Sequence, residues 1–382
     1  MQSDFLRRMP GIGPATAGQE RGLLERLHID PFLLLVLYLM AAMGVFVLYS
    51  AGAESQYLIK RQMVYIGIGT LTMFAVAQIP PMVLQRLSWV AYTGGLLMLL
   101  AVLVAGSGAN GAQRWVDLGI IQFQPSEVIK FALPMFIASY LSQRTMPVRF
   151  KHLCWALVMI CIPVALILYQ PDLGTGILVA GSGFVVLFLA GLRWRYILSA
   201  LALAPVICAV AWIFLLHDYQ KQRVLTMFNP EADKLGAGWN IIQSTTAIGS
   251  GGWSGKGWML GTQSHLDFLP ESHTDFIIAV LAEEFGFRGV LFLLVGYLLL
   301  FIRGLWISYT AKNSFSRLVA GALTFIIFLY VFVNMGMVSG ILPVVGVPLP
   351  LFSYGGTALV SMFIAFGVLM AISTEQETLH AK

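Results

Sequence analysis

Ten long apolar runs, separated by polar turns, constrain this chain more than any other feature of its sequence. A bilayer core needs about 20 mainly apolar residues in helical form. On that measure runs fall near Pro31–Ser50, Gln62–Ile79, Leu87–Ala105, Ser126–Leu141 and His152–Tyr169. Further runs lie near Leu173–Ala190, Trp194–Leu216, Asp275–Ile302, Leu318–Gly340 and Pro350–Ile372. The fourth is short and carries Glu127, Lys130 and Pro134. Only 11% of residues are charged. A soluble domain carries roughly 25%, so most of this surface must face lipid. The expected fold is all-α and integral to a membrane, with about ten transmembrane helices.

The +5 formal charge gives no reason to expect a nucleic-acid partner, because the placement of the charges, not their sum, decides that. Cys154, Cys161 and Cys208 lie inside apolar runs without metal-ligand spacing and read as small buried apolar residues. The first thirty residues are polar and charged, so no cleavable signal peptide is read there.

Lys and Arg in the loops set the orientation. With the N-terminus in the cytoplasm, fourteen fall inside, among them Arg86, Arg144, Arg193 and Lys312. The short outer loops then hold three, Lys60, Arg61 and Arg114. Both termini of this multi-pass protein are therefore expected in the cytoplasm. Residues 1–30 form an N-terminal arm, 31–372 the membrane domain and 373–382 a tail. The membrane domain includes a large extracytoplasmic loop, 217–274, between helices seven and eight. Its aromatic residues, Phe228, Trp239, Trp253, Trp258 and Phe268, predict that it packs on the bundle. Most acids outside the arm and tail also fall on the outer side, which places the chemistry there.

Four outer segments carry candidate chemistry. In Gln124-Pro125-Ser126-Glu127-x-x-Lys130, Pro125 suits the first turn of a helix and Glu127 and Lys130 share a face. Ionisable groups near a membrane boundary pair with each other or line a polar cavity. In Leu269-Pro270-Glu271-Ser272-His273-Thr274-Asp275, Asp275 opens the eighth helix. It could accept a proton or ligate a divalent metal, or Thr274 or Asp275 could simply cap the helix. In Gln113-Arg114-Trp115, Arg114 could grip a phosphate or anchor the interface. In Gln170-Pro171-Asp172-Leu173-Gly174-Thr175, Asp172 and Thr175 could bind substrate or cap the sixth helix. The Gly-rich stretch Gly249–Gly261 lacks the spacing of a phosphate loop and reads as a flexible, close-packing loop. Glu284 and Arg288 stand four apart and are expected to pair along the eighth helix.

These segments, with Ala247-Ile248-Gly249-Ser250-Gly251-Gly252 and Pro350-Leu351-x-Ser353-Tyr354-Gly355-Gly356, resemble the SEDS family (shape, elongation, division and sporulation). SEDS proteins are polytopic peptidoglycan polymerases, and the likeness is strongest to the RodA branch. The resemblance implies a SEDS fold and polymerisation of lipid II into glycan strands during cell-wall elongation and cell-shape maintenance. It implies that Asp275 is the catalytic carboxylate and that Arg114, Glu127, Lys130, Asp172, Thr175, His273 and Ser353 contact substrate. It also implies a polyprenyl-pyrophosphate-linked glycan as donor, a class B penicillin-binding protein as transpeptidase partner, and further membrane proteins of an elongation complex. A divalent cation, Mg or Mn, with Asp275 as a ligand, is compatible with it, and no organic cofactor is expected. Asp275 would take the proton of the acceptor's 4-hydroxyl. With an ordinary pKa near 4 it would be a weak base needing help from its surroundings. Two other classes compete: a lipid II flippase and a non-catalytic scaffold for a transpeptidase.

Overall fold

The computed structural model describes residues 27–105, 115–117, 122–145, 147–233, 236–265 and 271–375. Arg114 and most of the terminal arm and tail lie outside the described residues.

The first half of the chain contributes α1 (Pro31–Ala51), α2 (Gln56–Ala77), α3 (Pro81–Ala105), a short hairpin of β1 (Val116–Asp117) and β2 (Gln122–Phe123), and α4 (Pro125–Ser142). Next come α5 (Phe150–Tyr169), α6 (Leu173–Leu189) and α7 (Trp194–Val210). The loop after α7 folds into α8 (Asp218–Phe228), α9 (Ala237–Gly251) and the single turn α10 (Thr262–His265). The chain then forms α11 (Ile277–Thr310), α12 (Ser314–Val338) and α13 (Gly356–Thr374). Each of the ten apolar runs lies mainly in one of the ten long helices of this set. Among the described residues seven helices are long and apolar enough to cross a membrane, and α6 is a shorter apolar one. The other two, α2 and α4, carry charges that serve the site described below.

Local chemistry explains the helix ends. Asp30 caps α1, its Oδ1 accepting the Leu33 N–H at 3.1 Å, with Pro31 at the first helical position. Its Oδ2 also takes Arg303 Nη2 at 2.6 Å and the Ser373 hydroxyl at 2.9 Å, which ties α1, α11 and α13 together at one end. At the other end α2 starts six residues before its apolar run, so Lys60 and Arg61 stand on a helix rather than in a loop. Counting apolar residues misses that turn because Lys60, Arg61 and Gln62 separate Tyr57, Leu58 and Ile59 from the apolar run.

The centre of the bundle is α12, packed against α4, α6 and α11, while α2 packs against α13 and α3 against α4. Its core includes Tyr330, Phe276, Phe352, Phe363 and Phe366, all fully buried. By contrast α7 buries none of its side chains. The three cysteines, expected to be buried, are exposed on the outer faces of α5 and α7. In a lipid-facing helix an apolar run does not imply burial within the protein.

The eighth run is not one continuous helix. Gly286 breaks α11 with φ 67° and ψ −163°, a conformation open to glycine and costly for other residues. The break removes two helical hydrogen bonds, and residues 252–257 replace them with four. Lys256 and Gly257 donate to the Glu283 and Glu284 carbonyls at 3.0 and 2.9 Å. Phe287 and Arg288 donate to the Gly252 and Trp253 carbonyls at 2.9 and 3.3 Å. Glu283 then accepts Lys256 Nζ at 2.7 Å and the Thr262 N–H at 2.8 Å. Glu284 accepts the Ser50 hydroxyl and the Met259 N–H. The expected Glu284–Arg288 pair is replaced by these contacts, because the break removes the helical register that would align them.

The rest of the long loop also meets the bundle. Ser244 on α9 donates to the Val338 carbonyl at 2.9 Å, and Trp258 stacks on Phe46 with ring centroids 4.6 Å apart. Gly249 and Gly251, read from sequence as loop, lie in the last turn of α9.

Candidate active site

Pro125 starts α4, and Glu127 and Lys130 follow one turn apart on the face turned toward α12. Lys130 Nζ lies 2.6 Å from Glu127 Oε1, and both residues are 4% exposed. Lys130 also donates to the Tyr330 hydroxyl on α12, while the Ser361 hydroxyl on α13 donates to Glu127 Oε2 at 2.9 Å. The ion pair therefore fastens three helices and has its remaining polar capacity met by neighbours. A buried pair persists on those terms.

These groups form the floor of a cavity of about 390 Å³. Asp172 and Thr175 of α6, Thr274 and Asp275, the 346–348 segment, the start of α13, and Arg61 and Tyr65 of α2 complete its lining. Asp172 is also the cap of α6, its Oδ1 accepting the Thr175 N–H at 3.2 Å while Oδ2 takes Gln124 Nε2 at 3.4 Å. Its capping role is thus realised, and it faces the cavity at the same time.

Asp275 does not cap α11. The cap position is Phe276, with no side-chain cap bond, and the Thr274 hydroxyl turns back to the Glu271 carbonyl. The Asp275 carboxylate is left to the cavity, 9% exposed, with Gly346 beside it. Gly346 has φ +73°, and a Cβ placed there would meet Asp275 Oδ2 at 3.4 Å. Burial, and after it the Glu271 carboxylate, push the Asp275 carboxyl up to about 7, with Arg223 acting in the opposite direction. The weak base expected from sequence is thereby tuned toward neutral pH.

Two sequence candidates stand behind the wall. The Ser353 hydroxyl accepts the Leu349 N–H at 2.9 Å and closes a turn. The His273 carbonyl accepts the Tyr354 N–H at 3.0 Å, and its ring packs against Tyr354 at 6.1 Å. Gln62 Nε2 and the Tyr297 hydroxyl bond the Ser353 and Pro350 carbonyls at 3.2 and 2.5 Å. The segment before α13 is thus pinned from several sides. Trp115, next to the undescribed Arg114, reaches the cavity.

Sequence reasoning missed Arg61 and Tyr330. Arg61 donates to the hydroxyls of Tyr57 and Tyr65 at 3.0 and 3.3 Å, so two neutral phenols orient it and, among the described residues, no carboxylate pairs with it. Its spacing of four from each tyrosine was the available signal. A second cavity of about 380 Å³ adjoins the first, sharing Tyr65, Glu127 and Thr357. Its other walls are apolar side chains such as Ile68, Leu84, Phe131 and Val360. Among the described residues no three His, Cys, Asp or Glu gather as a metal site.

Among the described residues the cavity gathers the Asp275 and Asp172 carboxyls, the Lys130–Glu127 pair and the Arg61 guanidinium, and it opens beside an apolar groove, an arrangement that suits a charged headgroup on a long apolar tail. Residues 30–378 match the family described as cell cycle protein, FtsW/RodA/SpoVE. The chain belongs to this family. Its relatives in the FtsW/RodA/SpoVE family include the peptidoglycan glycosyltransferase MrdB of Escherichia coli K12. That protein is 50% identical over 355 residues, covering 93% of this chain and 96% of the relative. The probable peptidoglycan glycosyltransferase FtsW of Geobacter metallireducens is 35% identical over 360 residues, covering 91% and 95%. The fold is similar to a chain of a structure described as showing structural coordination of polymerization and crosslinking by a peptidoglycan synthase complex. The TM-score is 0.81 at 33% identity, with 91% of this chain and 98% of that one covered. The RodA rod shape determining protein of Thermus thermophilus matches with a TM-score of 0.69 at 30% identity, over 91% and 98%. Together with the fold, membership of the FtsW/RodA/SpoVE family makes this a multi-pass membrane protein.

Proposed function

We propose that this chain is a peptidoglycan glycosyltransferase that polymerises lipid II on the outward face of a bacterial cytoplasmic membrane. The observation that carries the mechanism is the buried Asp275 carboxylate on the wall of a polar cavity that adjoins an apolar groove. The Lys and Arg bias of the loops supports the orientation.

The acceptor is a lipid II whose sugar 4-hydroxyl approaches Asp275, and the donor is a glycan on polyprenyl pyrophosphate. Asp275 takes the hydroxyl proton as the oxygen bonds to the donor's anomeric carbon. The bond from that carbon to the phosphate oxygen breaks, its electron pair leaves with the pyrophosphate, and the configuration inverts. Asp275 then releases the proton to water. Charge on the departing pyrophosphate is met by cations fixed in advance. Lys130 already balances Glu127, so Arg61 supplies net positive charge, with Arg114 of the adjoining segment as a second donor. The apolar groove receives the start of a polyprenyl chain. Asp275 would be the residue to hold a divalent cation, Mg or Mn, which would supply positive charge for the departing pyrophosphate.

The relative structure that couples polymerization with crosslinking supports a transpeptidase partner for this chain. The test is polymerisation of labelled lipid II by purified protein with a class B penicillin-binding partner, wild type beside Asp275→Asn. Glycan strands from wild type alone are expected. Strands from both would remove Asp275 as the base. Strands from neither, with lipid II reaching the opposite leaflet of vesicles, would turn the assignment to a flippase.

A further inference from the structure

Asn334 lies near the C-terminal end of α12 and is fully buried. An amide in that position costs free energy unless it is hydrogen-bonded, and a leucine would fill the same space without that cost. Asn334 Nδ2 donates twice, to the Asp275 carbonyl at 2.8 Å and to the Val347 carbonyl at 2.7 Å. Both neighbours are acceptors, which fixes the amide with its nitrogen toward them. Its Oδ1 has no partner among the described residues. The environment therefore uses the two protons of the amide, a capacity that serine, threonine or an ionised aspartate lacks.

The two acceptors have a particular relation. One is the backbone of Asp275, and the other belongs to the residue after Gly346, whose Cα faces Asp275 Oδ2. One amide thus holds both the carboxylate and the surface it rests against. Four residues earlier on the same face of α12, Tyr330 accepts from Lys130. Tyr330 and Asn334 carry the two halves of the site on one rigid helix.

We propose that Asn334 is a positioning residue that sets the height and burial of the Asp275 carboxylate in the cavity. The proposal rests on Asp275 being the base. A displacement of about 1 Å at a reacting group can cost up to roughly 100-fold in rate, and the second tie between the two segments, Tyr354 N–H to the His273 carbonyl, lies away from the carboxylate. Asp275 is faced by Glu271 on its own segment and by Arg223 on α8. Across the cavity stand Arg61, Lys130 with Glu127, Asp172, Tyr330 and Tyr354.

The experiment measures kcat and KM for lipid II polymerisation by Asn334→Leu, which fills the volume without the donor, and by Asn334→Ala. Thr324→Ala, a buried change on α12 whose hydroxyl bonds the Ala320 carbonyl of its own helix, serves as the control. The expected result is a kcat at least roughly tenfold lower at little change in KM. Thr324→Ala should leave kcat in place. A folded Asn334→Leu with the wild-type kcat would overturn the proposal, and so would loss of folded protein in both Asn334 variants. If Asp275→Asn retains activity, the base assignment itself fails. If it is inactive while Asn334→Leu behaves as wild type, only the positioning role fails.

Discussion

Gly346 stands beside Asp275, and a Cβ on it would lie in ordinary contact, 3.4 Å, with the Asp275 Oδ2 oxygen. The demand for glycine comes from its left-handed backbone, φ +73°, where an L side chain costs about 1–2 kcal/mol. Gly346→Ala is expected to lower stability by about that amount and to slow polymerisation more than it weakens substrate binding. Thermal unfolding beside kcat and KM would check this. An unchanged kcat would mean that the segment does not set the carboxylate's surroundings.

The pH profile follows from the raised Asp275 value. A base must be ionised, so activity should rise with pH through a midpoint near 7. Glu271→Gln removes a like charge and should lower the midpoint, while Arg223→Gln removes an opposing one and should raise it. Midpoints that ignore both changes would separate the profile from Asp275.

Stability should show the opposite trend. The folded carboxyl holds its proton up to about 7, whereas the unfolded one loses it near 3.8. Burial of Asp275 is therefore tolerated below the unfolded value, and its cost grows as pH rises until it levels off above the folded value. The full cost is on the order of 4 kcal/mol for a carboxyl carried that far. Asp275→Asn should melt higher than wild type in detergent, with a wider gap at pH 8 than at pH 5. A gap that narrows with pH would contradict the burial argument.

Removing one member of the buried ion pair leaves the other unbalanced, at about 3–5 kcal/mol. Lys130→Met should therefore destabilise strongly, and adding Glu127→Gln should recover much of that stability. Polymerisation should stay low in the double variant. Recovery of activity along with stability would show that the pair only supports the fold.

Arg61 is exposed to the cavity and held by two phenols, so its loss should spare the fold. Arg61→Gln should raise KM for lipid II roughly tenfold, the worth of one charge-assisted hydrogen bond. A normal KM would place the pyrophosphate elsewhere.

The helices were readable because lipid imposes an apolar run on each span, and turn residues such as Asp30 and Pro31 mark where a run becomes a helix. The faces of those helices were not readable. Lipid and protein core accept the same side chains, so Cys154 and Cys208 could not be placed inward or outward by composition. At the site, Glu127, Lys130, Asp172 and Asp275 drew notice as charges beside a membrane boundary. Tyr330 and Asn334 did not, since each is one polar side chain within a long apolar helix and its partners lie far off in sequence. Ser353 and His273 looked chemical, yet the Ser353 hydroxyl closes a turn and the His273 carbonyl ties its segment to Tyr354, bonds that no local pattern separates from a role toward substrate.

The break at Gly286 bears on how the protein is made. A segment that crosses a bilayer as an ordinary helix satisfies its own backbone and can leave the insertion machinery alone. Here residues 283–288 depend on hydrogen bonds from residues 252–257, which are synthesised earlier and must wait for them. The eighth span and the loop before it thus mature as one late unit. Asp275 lies between the two, so the surroundings of its carboxylate are complete only when that unit closes.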